Sequence, residues 1–466
     1  MAVATRFDAI IIGSGQAGNP LATALAAAGR KVALIEQNLL GGSCINYGCS
    51  PVKAMLASAE RMQQVATAAN YGIKAGKPTP NLRAIVERKD ALIQAKRDGI
   101  QKNLTQEQKG ITLLHGRATF TGARRLRVAL ADGGEQVLTA PRIFINTGTR
   151  AAVPPIEGLE ESDFLTNVEI LNLKELPEHL LILGGGYIGL EFGQMFRRFG
   201  SRVTIVSTAT QLLENEDDDV CAAMQEQLAA DGIEFVLQAD VHRVSRNADG
   251  IYTLTAATPA GERRLRGTHL LVAVGREPNT DLLGLEAAGV ATDEKGYVQV
   301  NERLQTNVRG VYALGDVHPG PQFTHISYDD YRLVRDNLLH GKRRTTTGRP
   351  VPYVVFTQPQ LGRIGLNEKQ AQEQKLSYRV ATMPVRTIGR AQETGHTTGL
   401  MKVLVDGRGY LLGAAVFSEQ GGEIMSMLQL AMAGGLTCDD LQDMVLAHPT
   451  WAEALNNLFS KLRQPG

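Results

Sequence analysis

Two cysteines lie close together in a glycine-flanked segment near the start of the chain. Cys44 and Cys49 are separated by four residues, and Pro51 followed by a helical pattern places the pair at the entry to a helix. The field of a helix N-terminus favours a thiolate over a thiol. A turn of this length can bring two sulfurs within bonding distance. We predict a redox-active pair, because a zinc site would need further ligands that the neighbouring sequence does not offer.

A second candidate for chemistry lies near the C-terminus, in the run His448-Pro449-Thr450-Trp451-Ala452-Glu453. A lone histidine is usually structural. Here Glu453, five residues on, can fix the tautomer of the His448 ring and raise its basicity. This is the usual arrangement of a general base.

Two glycine-rich turns, about 170 residues apart, each follow a predicted strand and precede a predicted helix and a second strand. Glycines permit the tight turn and a close approach of the backbone to a pyrophosphate, while the helix N-terminus supplies partial positive charge. Glu36 ends the second strand of the first repeat, so the pattern predicts two dinucleotide-binding βαβ units. The glycines are Gly13, Gly15 and Gly18 in the first turn and Gly184, Gly186 and Gly189 in the second.

The strands of these units are predicted at 7–12 and 31–35, and at 180–183 and 202–206. Between the repeats, residues 81–110 predict one or two amphipathic helices rich in Lys and Arg, which we interpret as a solvated face. After residue 353, strand-like stretches at 401–405 and 411–416 precede helical patterns at 422–433 and 438–445. Strands followed by helices in this order are typical of a separate α+β domain.

The bulk composition excludes several classes of protein. The chain is 43% hydrophobic and 21% charged, as in ordinary globular proteins, and its net charge of +1 gives no reason to expect nucleic acid or a membrane surface as partner. No apolar run approaches the ~18 residues of a spanning helix, and the run at 9–12 is too short for a secretory signal. We therefore expect a cytoplasmic protein. Four cysteines are too few for a disulfide scaffold, and we expect Cys221 and Cys438 to be buried bystanders.

Residues 41–53 resemble the active-site signature of the class I pyridine nucleotide-disulfide oxidoreductases, which include glutathione reductase, dihydrolipoyl dehydrogenase and mercuric reductase. The resemblance covers essentially the whole chain. It implies an α/β fold with two Rossmann-like dinucleotide-binding domains, for FAD and for NAD(P), and a C-terminal α+β dimerisation domain. The implied segments are 1–150 and 275–346 for FAD, 151–274 for NAD(P), and 347–466 for the interface.

The resemblance also implies roles for the dithiol and its neighbours. Cys49 is the thiol nearest the flavin, and Cys44 is the interchange thiol that attacks substrate. Lys53 lies beside the flavin ring and pairs with Glu191. A cation there stabilises the anionic reduced flavin, and a buried lysine needs a partner.

The C-terminal motif resembles the family's HPTxxE, which implies a homodimer with shared active sites. In this arrangement His448, supported by Glu453, moves protons at the dithiol of the other subunit. Trp451 stands where the family has a small residue or Met, which puts the shape of the substrate pocket in doubt.

Further positions match the cofactor motifs of the family. Tyr187 matches the tyrosine that covers the flavin until the nicotinamide arrives, and Asp316 matches the aspartate that binds the ribityl chain. The residues implied to bind FAD are Gly13, Gly15, Gly18, Glu36, Gly42, Lys53, Thr147, Gly148, Gly315 and Asp316. Those implied to bind NADH or NADPH are Gly184, Gly186, Tyr187, Gly189, Ser207 and Gly275.

The sequence leaves the choice of coenzyme open. Ser207 stands where an acid would bind the ribose of NADH, and the arginines that would bind the 2′-phosphate of NADPH are also missing from the residues just beyond.

The acceptor is predicted to be a small oxidised molecule. Residues 144–148, 153–156 and 321–332 resemble a subgroup of bacterial flavoenzymes that are induced by reactive chlorine and act as hypothiocyanous acid reductases. Mercuric reductases carry an additional vicinal cysteine pair at the C-terminus, whereas this chain ends Arg463-Gln464-Pro465-Gly466, so mercury is disfavoured. Dihydrolipoyl dehydrogenase and mercuric reductase remain alternatives, as does a non-catalytic flavoprotein that senses redox state.

Overall fold

The structure is a computed structural model that describes residues 4–464. Pro465 and Gly466, from the C-terminal run used above to disfavour mercury, lie outside the described residues. The chain divides into two compact units, each assembled from separate stretches of sequence. The first unit comprises the chain up to Ala54, Arg83–Ala152 and Gly275–Arg349. The second comprises Met55–Leu82, Val153–Val274 and the chain from Pro350 onward.

The helices and strands are numbered along the chain. The helices are α1 Gly18–Ala27, α2 Gly42–Asn46, α3 Cys49–Ala66, α4 Leu82–Lys102, α5 Tyr187–Phe199, α6 Asp218–Ala230, α7 Leu285–Ala288, α8 Thr324–Leu339, α9 Glu368–Glu373, α10 Gly389–Glu393, α11 Gly421–Gly434, α12 Cys438–Asp443 and α13 Ala454–Phe459. The strands are β1 Thr5–Arg6, β2 Ala9–Ile12, β3 Val32–Glu36, β4 Ile111–Gly122, β5 Arg125–Leu130, β6 Glu135–Thr139, β7 Arg142–Ile145, β8 Thr149–Ala151, β9 His179–Leu183, β10 Arg202–Val206, β11 Glu234–Val236, β12 Asp240–Arg246, β13 Tyr252–Thr258, β14 Gly261–Gly267, β15 His269–Val272, β16 Arg276–Pro278, β17 Val311–Ala313, β18 Tyr353–Val355, β19 Gln360–Gly365, β20 Tyr378–Pro384, β21 Leu400–Asp406 and β22 Leu411–Ser418.

The sheet of the first unit has the strand order β1-β6-β5-β4-β3-β2-β7-β17. The adjacent strands β4, β3, β2, β7 and β17 run parallel to one another. Strand β5 pairs antiparallel with both β4 and β6. Every residue of β2 and β3 is buried, because alternate side chains pack into apolar clusters on opposite faces. Ile11 and Leu34 pack with α1 and α8 on one face, and Ile10 and Ile35 pack with β4 and β5 on the other.

Both predicted glycine turns are present, and in each the first glycine lies so close to neighbouring backbone that no side chain would fit. Gly13 has φ +101°, and a Cβ there would lie 2.3 Å from the carbonyl oxygen of Asn146. Gly184 has φ +115°, and a Cβ there would lie 2.3 Å from the carbonyl oxygen of Ala273. Only glycine fits either position, because a side chain would meet rigid backbone as well as an unfavourable φ. The two predicted βαβ units are confirmed.

The second unit contains a parallel sheet ordered β11-β10-β9-β15, an antiparallel sheet β12-β13-β14, and an antiparallel sheet β18-β19-β22-β21-β20. Helices α11 and α13 contribute Met425 and Leu458 to the apolar cluster around Val403 in the last of these sheets. The predicted α+β domain is therefore confirmed. The predicted helix at 438–445 ends earlier, at Asp443.

Two further expectations concern single residues and membrane spans. Cys221 and Cys438 are 1% and 4% exposed, so their predicted burial is confirmed. Among residues 4–464, no helix combines the length and the apolar character needed to cross a membrane.

Candidate active site

The two candidate redox cysteines lie on consecutive short elements of the first unit. Cys44 is the middle residue of α2, and Cys49 is the first residue of α3. Both are free cysteines, and Cys49 is the neighbour that most strongly affects the pKa of Cys44. The prediction that the pair stands at the entry to a helix therefore holds for Cys49. Cys44 lies in a separate five-residue helix before that entry.

A threonine that the sequence analysis did not single out completes this group. Thr324, the first residue of α8, shares a hydrogen bond with Cys49, with 3.3 Å between Oγ1 and Sγ. Thr324 belongs to the stretch 321–332 that resembled the oxidant-reducing subgroup. The resemblance was therefore the signal, but nothing in the spacing of residues indicated a contact with the dithiol.

The electrostatics differ between the two thiols. The hydrogen bond with Cys49, burial and the charge of Cys49 all raise the pKa of Cys44, while the hydrogen bond with Thr324 and the charge of Lys96 lower it. The net pKa of Cys44 is well above its ordinary value, so the expectation that its position favours the thiolate is wrong while both sulfurs are reduced. The physical reason is that two adjacent sulfurs do not ionise independently, and one negative charge opposes the second.

Asn46 fixes the loop that carries Cys44. This buried side chain donates through Nδ2 to the carbonyl oxygens of Leu40 and Gly42, each at 3.0 Å. Gly41, at the start of α2, has φ +103°. The loop that enters α2 is thus closed by one amide, which the sequence analysis did not single out.

The first glycine turn and Glu36 form a cradle at the ends of β2 and β3. A Cβ on Gly18 would lie 2.1 Å from the carbonyl oxygen of Gly13, and a Cβ on Gly42 would lie 2.8 Å from Cα of Gly15. Glu36 Oε2 accepts hydrogen bonds from the backbone amide and the hydroxyl of Ser14, at 2.9 and 2.7 Å. The acid expected at this strand end is therefore present, and it tightens the turn.

The other predicted FAD positions follow β7 and β17. The Oγ1 atom of Thr147 is buried without a hydrogen-bond partner in the part of the chain that the structure describes. Gly148 and Gly315 have φ +64° and +70°. Burial raises the pKa of Asp316, although the charge of Arg276 and a hydrogen bond from Ser327 (3.3 Å) oppose this.

These features fit a bound dinucleotide. A buried hydroxyl without a partner usually indicates a missing ligand group or water. The glycine cradle leaves the backbone accessible at the N-terminus of α1, where a pyrophosphate is stabilised. The residues present therefore suit FAD.

A buried ion network supports the turn that carries Asp316. Asp330 on α8 is 0% exposed and accepts a hydrogen bond from the backbone amide of Gly315 at 2.8 Å. His318 Nε2 lies 2.9 Å from Asp330 Oδ2, and Arg349 donates to Oδ1 at 2.5 Å. Sequence reasoning missed Asp330, because an aspartate in a helix gives no sign of burial.

The second glycine turn lies in the second unit. A Cβ on Gly189 would lie 2.2 Å from the carbonyl oxygen of Gly184, whereas a Cβ on Gly186 would meet open space. Tyr187, half-buried, begins α5. Ser207, at the end of β10, accepts a hydrogen bond from the backbone amide of Ala209 at 3.2 Å. Gly275, also predicted to bind nicotinamide, belongs to the first unit and has φ +142°.

The predicted ion pair of Lys53 and Glu191 joins residues of different units. Lys53 is half-buried on α3 and belongs to the first unit. Glu191 is 4% exposed on α5, in the second unit, and its Oε1 accepts a hydrogen bond from the backbone amide of Phe356 at 2.9 Å. The pairing stays a prediction.

His448 and Glu453 make the expected contact. Nδ1 of His448 lies 3.0 and 2.9 Å from the two carboxylate oxygens of Glu453, and the histidine side chain is 74% exposed. Nε2 is therefore the ring nitrogen that remains for proton transfer. Trp451, between them in sequence, is 7% exposed and belongs to the apolar cluster of the C-terminal domain.

Comparison with known proteins assigns the family. Residues 7–330 match the model of the family described as pyridine nucleotide-disulphide oxidoreductase, and residues 351–459 match its dimerisation domain. The chain is 39% identical to the probable pyridine nucleotide-disulfide oxidoreductase RclA of Escherichia coli over 98% of this chain and 100% of that protein. It is 38% identical to a mercuric reductase of Streptomyces lividans over 97% and 95% of the two chains.

A solved structure agrees with this assignment. The Cu(II) complex of the HOCl-induced flavoprotein disulfide reductase RclA from Escherichia coli superposes with a TM-score of 0.89 at 38% identity, covering 98% of this chain and 99% of that chain. The predicted fold class is confirmed. The chain therefore belongs to the pyridine nucleotide-disulphide oxidoreductase family and is a flavin-dependent oxidoreductase.

Proposed function

We propose that this enzyme passes two electrons from NADH or NADPH through FAD to the Cys44–Cys49 pair, and from there to hypothiocyanite or a related small oxidant. The observation that carries the proposal is the neighbouring pair of free thiols, Cys44 and Cys49, with Thr324 Oγ1 3.3 Å from the Sγ atom of Cys49. The similar Escherichia coli protein is described as an HOCl-induced flavoprotein disulfide reductase, which supports an oxidant as acceptor.

FAD, when bound, supplies a two-electron relay between the nicotinamide and the dithiol. Lys53 would lie beside the flavin ring, Thr147 and Asp316 would hydrogen-bond the cofactor, and Tyr187 would cover the nicotinamide side. The remaining residues that would hold FAD are Gly13, Gly15, Gly18, Glu36, Gly42, Gly148 and Gly315, and those that would hold the nicotinamide cofactor are Gly184, Gly186, Gly189, Ser207 and Gly275. Glu191 would neutralise Lys53.

At the acceptor, the reaction is two-electron sulfur chemistry. The thiolate of Cys44 attacks the sulfur of hypothiocyanous acid, which releases hydroxide and leaves a thiocyanate-capped Cys44. The thiolate of Cys49 then displaces thiocyanate and forms the Cys44–Cys49 disulfide. Cys44 and Cys49 lose two electrons in total, the acceptor gains two, and the nicotinamide cofactor returns two to the disulfide.

His448 would move the protons of this reaction. Glu453 holds Nδ1, so Nε2 can take a proton from the Cys44 thiol and give it to the departing hydroxide, which forms water. The exposed ring suits a site shared between subunits, and the match to a dimerisation domain supports a homodimer.

Three further elements belong to the proposal. The choice between NADH and NADPH stays open, because Ser207 favours neither. A cytoplasmic location fits an enzyme that draws on the pool of reduced nicotinamide. We retain the division into FAD segments 1–150 and 275–346, an NAD(P) segment 151–274 and an interface segment 347–466.

Mercuric ion and lipoamide are the alternative acceptors, because the chain is 38% identical to a mercuric reductase and 31% identical to a dihydrolipoyl dehydrogenase of Halobacterium salinarum over 97% of this chain. The test is steady-state oxidation of NADH and NADPH with hypothiocyanite, oxidised glutathione, lipoamide and mercuric ion.

We expect hypothiocyanite to give the highest kcat/KM. Cys44→Ser should abolish this turnover, whereas Cys221→Ser, at a buried cysteine outside the dithiol, should retain it. Turnover with lipoamide or mercuric ion and none with hypothiocyanite would overturn the choice of acceptor. Full turnover by Cys44→Ser would instead favour a flavoprotein that senses redox state.

A further inference from the structure

The basic helix α4 runs along the segment that carries the dithiol. Its sequence suggested a solvated face, and its arginines and lysines are indeed mostly exposed. However, three of its cations contact residues spaced four apart on either side of Cys49. The contacts are Arg97 Nη1 to Asn46 Oδ1 at 3.4 Å, Lys96 Nζ to Ser50 Oγ at 3.4 Å, and Arg88 Nη1 to the carbonyl oxygen of Ala54 at 2.9 Å.

These three cations are not neutralised by acidic side chains. Within residues 4–464, no carboxylate forms an ion pair with Arg88, Lys96 or Arg97. Two acids of α4 are engaged elsewhere, since Asp90 pairs with Lys89 at 2.6 Å and Asp98 accepts from Gln94 at 2.7 Å, and the third, Glu87, is exposed to solvent. A net positive field therefore acts on the dithiol segment.

Of these three cations, and within the described part of the chain, Lys96 contacts neither the backbone nor the amide that closes the loop before α2, so it can act on the thiols by its charge. Its contact is to the hydroxyl of Ser50, the residue after Cys49. Arg97 bonds the amide that closes the loop before α2, and Arg88 bonds a backbone carbonyl about one helical turn further along α3. The side chains that affect the pKa of Cys44 are Cys49, Thr324 and Lys96, and the charge of Lys96 lowers this pKa against the effects of Cys49 and burial.

We propose that the basic face of α4, centred on Lys96, selects acceptors by charge: it stabilises negative charge at the Cys44–Cys49 pair and favours small anionic oxidants over neutral or cationic ones. A fixed cation beside a reacting anion raises both its stability and the local concentration of anionic reactants. The inference rests on the dithiol being the exit for electrons, as in the proposed function, but it does not depend on which acceptor is physiological.

Alkylation of the reduced dithiol tests this field directly. The full-length protein is reduced with a phosphine, and the rates of reaction with anionic iodoacetate and neutral iodoacetamide are mapped to Cys44 and Cys49 by mass spectrometry. We expect Lys96→Gln to lower the iodoacetate-to-iodoacetamide ratio by about threefold or more at low salt. The alkylation pH profile should also shift to higher pH.

Two control variants separate charge from structure. Lys96→Arg retains the charge and should restore the ratio, and Lys109→Gln removes an exposed lysine that lies beyond the end of α4 and should leave the ratio unchanged. A ratio in Lys96→Gln equal to that of the unmodified protein at low salt would overturn the proposal. So would an equal loss in Lys109→Gln.

Turnover with artificial disulfides distinguishes this inference from the proposed function. Dithiobis(nitrobenzoate) is a dianion, hydroxyethyl disulfide is neutral and cystamine is a dication. Lys96→Gln should lower the kcat/KM ratio of dianion to dication by about tenfold. If the ratio falls while hypothiocyanite is not reduced, the acceptor is wrong and the charge selection stands. If hypothiocyanite is reduced and the ratio does not change, the charge selection is wrong.

Discussion

Replacing Asp330 with alanine removes a fully buried carboxylate from beneath the turn Gly315–Val317, which carries Asp316. The carboxylate accepts from the backbone amide of Gly315 at 2.8 Å and contacts His318 and Arg349 at 2.9 and 2.5 Å. The side chains of His318 and Arg349 are 7% and 12% exposed, so water can replace little of what is lost.

The magnitude follows from the burial of the partners. Removing one member of a buried ion pair costs about 3–5 kcal/mol, because the remaining charge has no counter-charge. Asp330→Asn keeps the shape and one acceptor oxygen, so we expect a loss of about 1–3 kcal/mol. The turn also presents Asp316, so either variant should weaken FAD binding, by about tenfold or more for Asp330→Ala.

Urea unfolding of the apoprotein measures the stability, and quenching of flavin fluorescence measures the affinity for FAD. Asp329→Asn is the comparison variant, since the neighbouring Asp329 is 22% exposed, pairs with Arg344 at 3.0 Å and lies 3.6 Å from Arg349, whose closer partner is Asp330. Its loss should stay below about 1 kcal/mol. Unfolding of Asp330→Ala at the same urea concentration as Asp329→Asn, with equal affinity for FAD, would refute the reasoning.

The same group predicts a dependence on pH. Burial acts to raise the pKa of Asp330, but the hydrogen bond and charge of His318 and the charge of Arg349 outweigh it and hold the pKa below its ordinary value. A lowered pKa contributes stability above the unfolded value of about 3.9, and this contribution is lost as pH falls through the folded value. The difference in unfolding free energy between the unmodified protein and Asp330→Asn should be full at pH 7 and shrink below about pH 4.

Three further perturbations test other parts of the account. Arg363→Met leaves the carboxylate of Glu216, 3% exposed and 2.7 Å away, without its partner, and should cost about 3–5 kcal/mol in urea unfolding. His448→Gln should slow acceptor reduction by about 10²-fold in stopped-flow experiments and leave reduction of the bound flavin by NADH or NADPH unchanged. Gly184→Ala places a Cβ 2.3 Å from a backbone oxygen at φ +115° and should weaken nicotinamide binding in calorimetry, whereas Gly389→Ala, with open space around it, should not.

The features that the sequence predicted correctly are local. The glycine turns at Gly13 and Gly184, their flanking strands and the helix ending at Phe199 follow from hydrophobic runs and from a backbone conformation that only glycine adopts. The contact between His448 and Glu453 also joins near neighbours, five residues apart. Short-range chemistry of this kind can be read from spacing.

The features that it missed join distant parts of the chain. Thr324 lies 275 residues from Cys49, and Lys96 lies 46 residues from Ser50, so no local pattern relates them. The raised pKa of Cys44 depends on its burial and its neighbour, which only the folded chain defines. For the same reason, the basic stretch at 81–110 predicted a solvated helix but not its contacts with the dithiol segment.

Thiol mapping of the oxidised holoenzyme, before and after anaerobic addition of NADH or NADPH, tests the proposed path of electrons most directly. We expect Cys44 and Cys49 to be protected from alkylation before reduction and to become alkylated after it, with Cys221 and Cys438 unchanged. Reduction of the flavin and transfer of electrons to the acceptor, with no change in the alkylation of Cys44 and Cys49, would contradict the path.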